Sequence, residues 1–117
     1  MIWNKEMECA DRETMRALQL KKLKETVRYE YDNVPYYREK MDKAGVKPED
    51  IQTLEDIRKL PFITKEDIAA NYPTGLFAKP MEEIVRIHAS SGTTGKPKIA
   101  GYTRNDLEMW GECVADR

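Results

Sequence analysis

The chain has 117 residues, 40% apolar and 35% charged, with 20 basic against 21 acidic side chains and a net charge of −1. That length supports one domain with a core of its own, and a charged fraction well above the usual quarter implies much solvated helix surface. The near-neutral balance leaves no basic surplus pointing to nucleic acid or to an anionic membrane.

No apolar run is long enough to span a bilayer, and the opening MIWNKEMECADRE lacks the apolar stretch of a secretory leader. A cytoplasmic location is expected. Cys9 and Cys113 lie near opposite ends with no second Cys or His at zinc-ligand spacing, so they read as reduced, incidental thiols. No metal ligands are expected among them.

Asp11 precedes a segment in which Ala17, Leu20, Leu23, Val27 and Tyr31 share one helical face while Lys21, Lys22, Lys24, Glu25 and Arg28 lie elsewhere. This spacing predicts an amphipathic helix over 12–31 with Asp11 as its cap. Asn33-Val34-Pro35 interrupts the pattern, and a second helix follows with Pro35 in its first turn and Gly45 just beyond its end, making a helical hairpin.

A small motif then recurs at Thr53-Leu-Glu-Asp-Ile57, Thr64-Lys-Glu-Asp-Ile68 and Thr103-Arg-Asn-Asp-Leu107. Each sets a Thr at a helix start and an acid three residues on, where it can reach back to the exposed amide of the Thr. Three helix starts are expected, the first two cut short by Pro61 and Pro73. These threonines read as helix punctuation, not as ligand contacts.

After Pro80 the period changes to two, with Val85, Ile87 and Ala89 alternating with Arg86 and His88. The segment 99–102 reads as a second short strand, so the stretch between them joins two strands. A last helix begins near Arg104, with Leu107, Trp110 and Val114 on one face, and reaches Arg117 without a stop signal. Two strands alone make a marginal sheet, and a missing remainder is expected. His88 is placed on the solvated side of its strand. Tyr36, Tyr37, Tyr72 and Trp110 read as packing residues, since no basic clusters interleave with them.

The connection Ser90-Ser-Gly-Thr-Thr-Gly-Lys96 carries the chemistry. Glycines let backbone amides approach an anion, and hydroxyls and an ammonium add donors. It is not a Walker A loop: only Thr93 and Thr94 separate its glycines, Pro97 follows Lys96, and a strand comes next. Ordering each of its residues costs about 1 to 2 kcal/mol, with almost no apolar side chain to offset that. Composition alone leaves both a phosphate-holding loop and an ordinary hairpin connection open.

The nine residues SSGTTGKPK resemble the phosphate-binding loop of the adenylate-forming superfamily. The segments RALQLKKLKETV, NVPYYREK, LPFITKEDI, NYPTGLFA and the GYT after the loop narrow the resemblance to the phenylacetate-CoA ligase family, over nearly the whole chain. It implies a two-step ligase. An aryl carboxylate attacks the α-phosphorus of ATP to give an acyl-adenylate and pyrophosphate, and the thiol of coenzyme A then displaces AMP, with Mg2+ accompanying the ATP.

Carried over by residue, Ser90, Ser91, Gly92, Thr93, Thr94, Gly95 and Lys96 would grip the β- and γ-phosphates and stabilise the leaving charge. None is a catalytic nucleophile or base, and His88 is not needed as one. The fold expected is α+β for this chain: a mainly helical region over 1–79, then over 80–117 the start of the AMP-binding domain, a β-hairpin with the loop and one helix. It would be the amino-terminal fragment of a larger α/β enzyme and inactive alone.

The partners implied are small molecules (ATP, an aryl carboxylic acid and CoA), with neither nucleic acid nor membrane, and a homodimer is compatible with them. Two competing readings are an adenylyl-transferring synthetase of the same superfamily and a non-catalytic helical interaction module.

Overall fold

The computed structural model describes residues 2, 4–90 and 97–115. A short helix, α1 (Lys5–Glu8), precedes the long α2 (Arg12–Asn33) and α3 (Pro35–Lys43). The sequence pattern missed α1, which is held at its start by the Asn4 side chain accepting from the Met7 amide at 3.3 Å and by the Glu8 carboxylate accepting from the Asn4 amide at 2.7 Å.

The Asp11 carboxylate accepts from the Thr14 amide at 2.7 Å, so α2 begins at its predicted residue. Pro35 occupies the first turn of α3, where its missing N–H costs nothing. Gly45, at φ +72°, turns the chain back at the other end. Only a residue without Cβ adopts that conformation freely.

α2 and α3 pack as the predicted helical hairpin, and the core lies between them and the turn that follows. Val27, Val34, Met41, Val46 and Ile51 are buried, with Leu23, Tyr31, Tyr37 and Leu60 packed around this cluster. Burying a side chain such as Met41 fully contributes about 1.5–3 kcal/mol. Around this core, Tyr31 donates to Asp42 at 2.8 Å, and the Lys47 ammonium closes the triangle at 2.6 Å from Asp42.

The three threonine motifs all start helical turns, but of two kinds. At α4 (Lys65–Ala70) the Thr64 amide donates to Asp67 at 2.8 Å and the Asp67 amide donates back to the Thr64 hydroxyl at 3.2 Å. At Thr53 the segment Leu54–Lys59 winds instead as a 3-10 helix. Asp56 still accepts from the Thr53 amide at 2.9 Å. Leu60, preceding Pro61, is forced extended (ψ 139°), which leaves too little chain for α turns.

Beyond cis-Pro73, strand β1 (Ile84–Ser90) pairs antiparallel with β2 (Lys98–Thr103), and α5 (Arg104–Ala115) follows directly. The third motif caps α5: Thr103 N–H donates to Asp106 at 2.9 Å, and Asp106 N–H to the Thr103 hydroxyl at 3.2 Å. The register shifts between Ile84 and Arg86, leaving Val85 as an irregularity in the ladder.

The two faces of the hairpin are not as the alternation predicts. His88 is half-buried under α5, whereas Val85 and Ile87 remain 49% and 48% exposed. The polar-looking face is the one the chain covers. On the apolar face Phe77 approaches Gly101, and Ile99 is half-buried.

Candidate phosphate-binding hairpin

The strands β1 and β2 flank the segment of the predicted loop as an antiparallel pair. Ser90 and Lys98 are Cα partners, and they close the ladder at its open end. Both are exposed, so a hydroxyl and an ammonium stand together at the mouth. Ser91, Gly92, Thr93, Thr94, Gly95 and Lys96 lie outside the described residues.

Alternation puts Ser90, His88 and Arg86 on one face of β1, beside Lys98, Ala100 and Tyr102 of β2. On this face three rings meet. The His88 and Tyr102 centroids are 4.9 Å apart, His88 meets Trp110 of α5 edge-on at 5.8 Å, and Tyr102 and Trp110 are 5.6 Å apart. Such tilted and edge-on pairs are each worth about 0.5–1.5 kcal/mol beyond their buried area. The other face is clamped by close approach: a Cβ on Gly101 would lie 2.6 Å from the Phe77 ring.

In the helical part, α4 is tied to α3. Asp67 accepts from the Tyr36 hydroxyl, from the Lys40 ammonium at 3.0 Å and from Thr64. The Tyr36 hydrogen bond, then the Thr64 amide and Lys40, hold its carboxyl well below the usual carboxylate range. Tyr37 donates to the Pro61 carbonyl at 3.1 Å. Both tyrosines thus lock α3 to the segment after it, as packing residues would.

A groove of about 830 Å³ lies on the Phe77 side, between α2 and the hairpin. Tyr29, Glu30, Lys79, Ile99 and Asp106 are among its walls, with the Lys79 ammonium 5.3 Å from the Tyr29 ring centroid. Burial pushes the Glu30 carboxyl up. The groove reaches the Ile84 and Thr103 end of the hairpin, and neither Ser90 nor Lys98 lines it. It is a separate feature from the loop mouth.

Among the described residues, no group of three or more His, Cys, Asp or Glu side chains is placed to hold a metal ion, and Cys9 and Cys113 are free and exposed. No described helix is long and apolar enough to cross a membrane. Sequence reasoning missed the role of Trp110 as the cover of His88. The helical spacing of Leu107, Trp110 and Val114 marked a packing face but not its partner. Nothing in the sequence signalled the Phe77–Gly101 approach.

No protein-family model matches the chain. It is 51% identical over 115 residues to the phenylacetate-coenzyme A ligase of Thermus thermophilus, covering 98% of this chain and 26% of that one. It is 53% identical over 109 residues to the enzyme of the same name from Escherichia coli, covering 93% and 25%.

Its fold matches that of 2-hydroxyisobutyryl-CoA ligase crystallised with 2-HIB-AMP and CoA in the thioesterification state. The TM-score is 0.82 at 28% identity, over 91% of this chain and 24% of the other. An open conformation of that ligase with the same ligands matches at 0.76. The chain therefore spans about a quarter of the length of the relatives it matches. With half its positions shared across nearly its whole extent, and with a fold that matches part of a CoA ligase, the chain is similar to about a quarter of the length of the phenylacetate-CoA ligases.

Proposed function

We propose that the chain is the amino-terminal portion of an ATP-dependent aryl-acid CoA ligase, and that it contributes the loop holding the β- and γ-phosphates of ATP. The observation that carries this reading is the identity of about half the chain to phenylacetate-CoA ligases over 93–98% of its length. A structural match to a ligase with an acyl-adenylate and CoA bound supports the two-step course.

The roles divide between stem and loop. Ser90, at the end of β1, contributes a hydroxyl, and Ser91, Gly92, Thr93, Thr94, Gly95 and Lys96 would supply the rest of the anion cradle. These groups bind and orient the triphosphate so that the leaving pyrophosphate's charge is met by fixed donors and not by reorganising water. The attacking group is the substrate's own carboxylate, so the loop need not move a proton. Mg2+ enters with ATP as part of the substrate. A cytoplasmic location and a homodimer accompany this reading.

The test is phenylacetate-dependent exchange of labelled pyrophosphate into ATP by the full-length protein, with Lys96→Ala and Thr94→Ala beside it. Both variants are expected to fold and to slow adenylation. An unchanged exchange rate in them would remove the loop from the mechanism. Formation of phenylacetyl-CoA separates a ligase from a synthetase that stops at nucleotide transfer.

A further inference from the structure

We infer that Trp110 is a positioning residue for ATP: through His88 and Tyr102 it fixes the strand face that ends in Ser90 and Lys98. This rests on the reading of the hairpin as the phosphate-holding element and goes beyond it, because Trp110 lies outside the loop, on the following helix.

The geometry runs in a short chain. Trp110 touches both rings of the stem, at 5.8 Å to His88 and 5.6 Å to Tyr102, and those rings touch each other at 4.9 Å across the strands. His88 precedes Ser90 by two residues and shares its face. The Thr103–Asp106 cap fixes the start of α5 directly at the end of β2, so the position of Trp110 is tied to the same strand it covers. Behind the hairpin, Phe77 at Gly101 takes up the other side.

A two-stranded ribbon is marginal by itself, and Ser90 and Lys98 form its last pair before the loop. With Trp110 in place, the stem is held between two aromatic contacts and the mouth is set before ATP arrives. Without it, ATP must also order the stem, and that ordering appears as weaker binding. The carboxylic acid makes no demand on the stem, so its binding should not change.

The experiment measures pyrophosphate exchange in the full-length enzyme, with KM for ATP and for the acid determined separately in wild type, Trp110→Ala and Trp110→Phe. Trp110→Ala is expected to raise KM for ATP by about fivefold or more with KM for the acid within about twofold, and Trp110→Phe to restore most of the difference. A merely structural role would lower the active fraction and leave both KM values alone.

Should Trp110→Ala fail to fold, Trp110→Leu keeps apolar bulk while removing the ring contacts and carries the same expectation. Unchanged KM for ATP in the folded variant, or an equal rise for both substrates, overturns the inference while leaving the ligase reading intact. Absence of exchange in the wild-type enzyme overturns the ligase reading, and the inference with it.

Discussion

The α2–α3 hairpin and the β-hairpin with α5 are built to opposite standards of closure. Among the described residues, every buried hydrophobic side chain of the core, from Val27 to Ile51, belongs to the helical part. None of the described residues of β1, β2 or α5 is buried, and Val85, Ile87, Met109, Trp110 and Val114 are each 46–58% exposed. The helical part encloses a core of its own, although Phe62 and Ile57 remain 88% and 57% exposed outside it, whereas among the described residues the strand part has no buried residue and leaves two strand edges unpaired. A chain that spans a quarter of its relatives' length is expected to show this asymmetry.

The comparison breaks hardest at Met41, which is fully buried at the centre of the helical cluster. Met41→Ala should destabilise the chain by about 2–5 kcal/mol, measured as a shift of the urea midpoint. A small loss would mean that the cluster is not the core. Gly101→Ala is expected next, at about 1–3 kcal/mol, because the added methyl would lie 2.6 Å from Phe77. Phe77→Leu in the same chain should relieve it. The coupling in a double-mutant cycle would show that this contact ties the two parts together.

Thr64→Ala removes the hydroxyl that caps α4 and should cost about 1 kcal/mol in thermal or chemical unfolding. Asp67 adds a pH signature at the same cap. Its carboxyl is held below the ordinary value of 3.8, first by the Tyr36 hydroxyl and then by the Thr64 amide and Lys40. The folded chain thus keeps the carboxylate ionised where the unfolded chain has taken up a proton. The stabilisation is present above 3.8 and is lost as the pH falls through the lower folded value. Asp67→Asn should flatten the decline of melting temperature below about pH 4, and Glu66→Gln should not.

Much of the helical part was legible because its signals are local. Asp11, Pro35, Gly45 and the Thr-x-x-Asp motifs act within one turn of where they stand, and each begins or ends an element as its chemistry requires. The winding of Leu54–Lys59 was less so, since it depends on how little chain remains before Pro61. The faces of the hairpin were not legible. Alternation shows that Val85, Ile87 and Ala89 oppose Arg86 and His88, but which set is covered depends on where α5 folds back, a contact that spacing within β1 does not encode.

Residue 87 gives the smallest effect and the sharpest use of the comparison. Ile87 pairs with Gly101 in the middle of the ladder, yet nearly half of its surface faces solvent. Ile87→Thr keeps the branched Cβ that suits a strand and removes mainly apolar bulk, so in residues 1–117 it should cost about 0.5 kcal/mol or less. If the remaining three quarters of a ligase covers this face, the same substitution in the full-length protein buries a hydroxyl where a methyl group had packed, and should cost about 1–3 kcal/mol. Melting both lengths with and without the substitution decides it. Equal small losses would mean that the apolar face of the hairpin stays open to water in the complete enzyme.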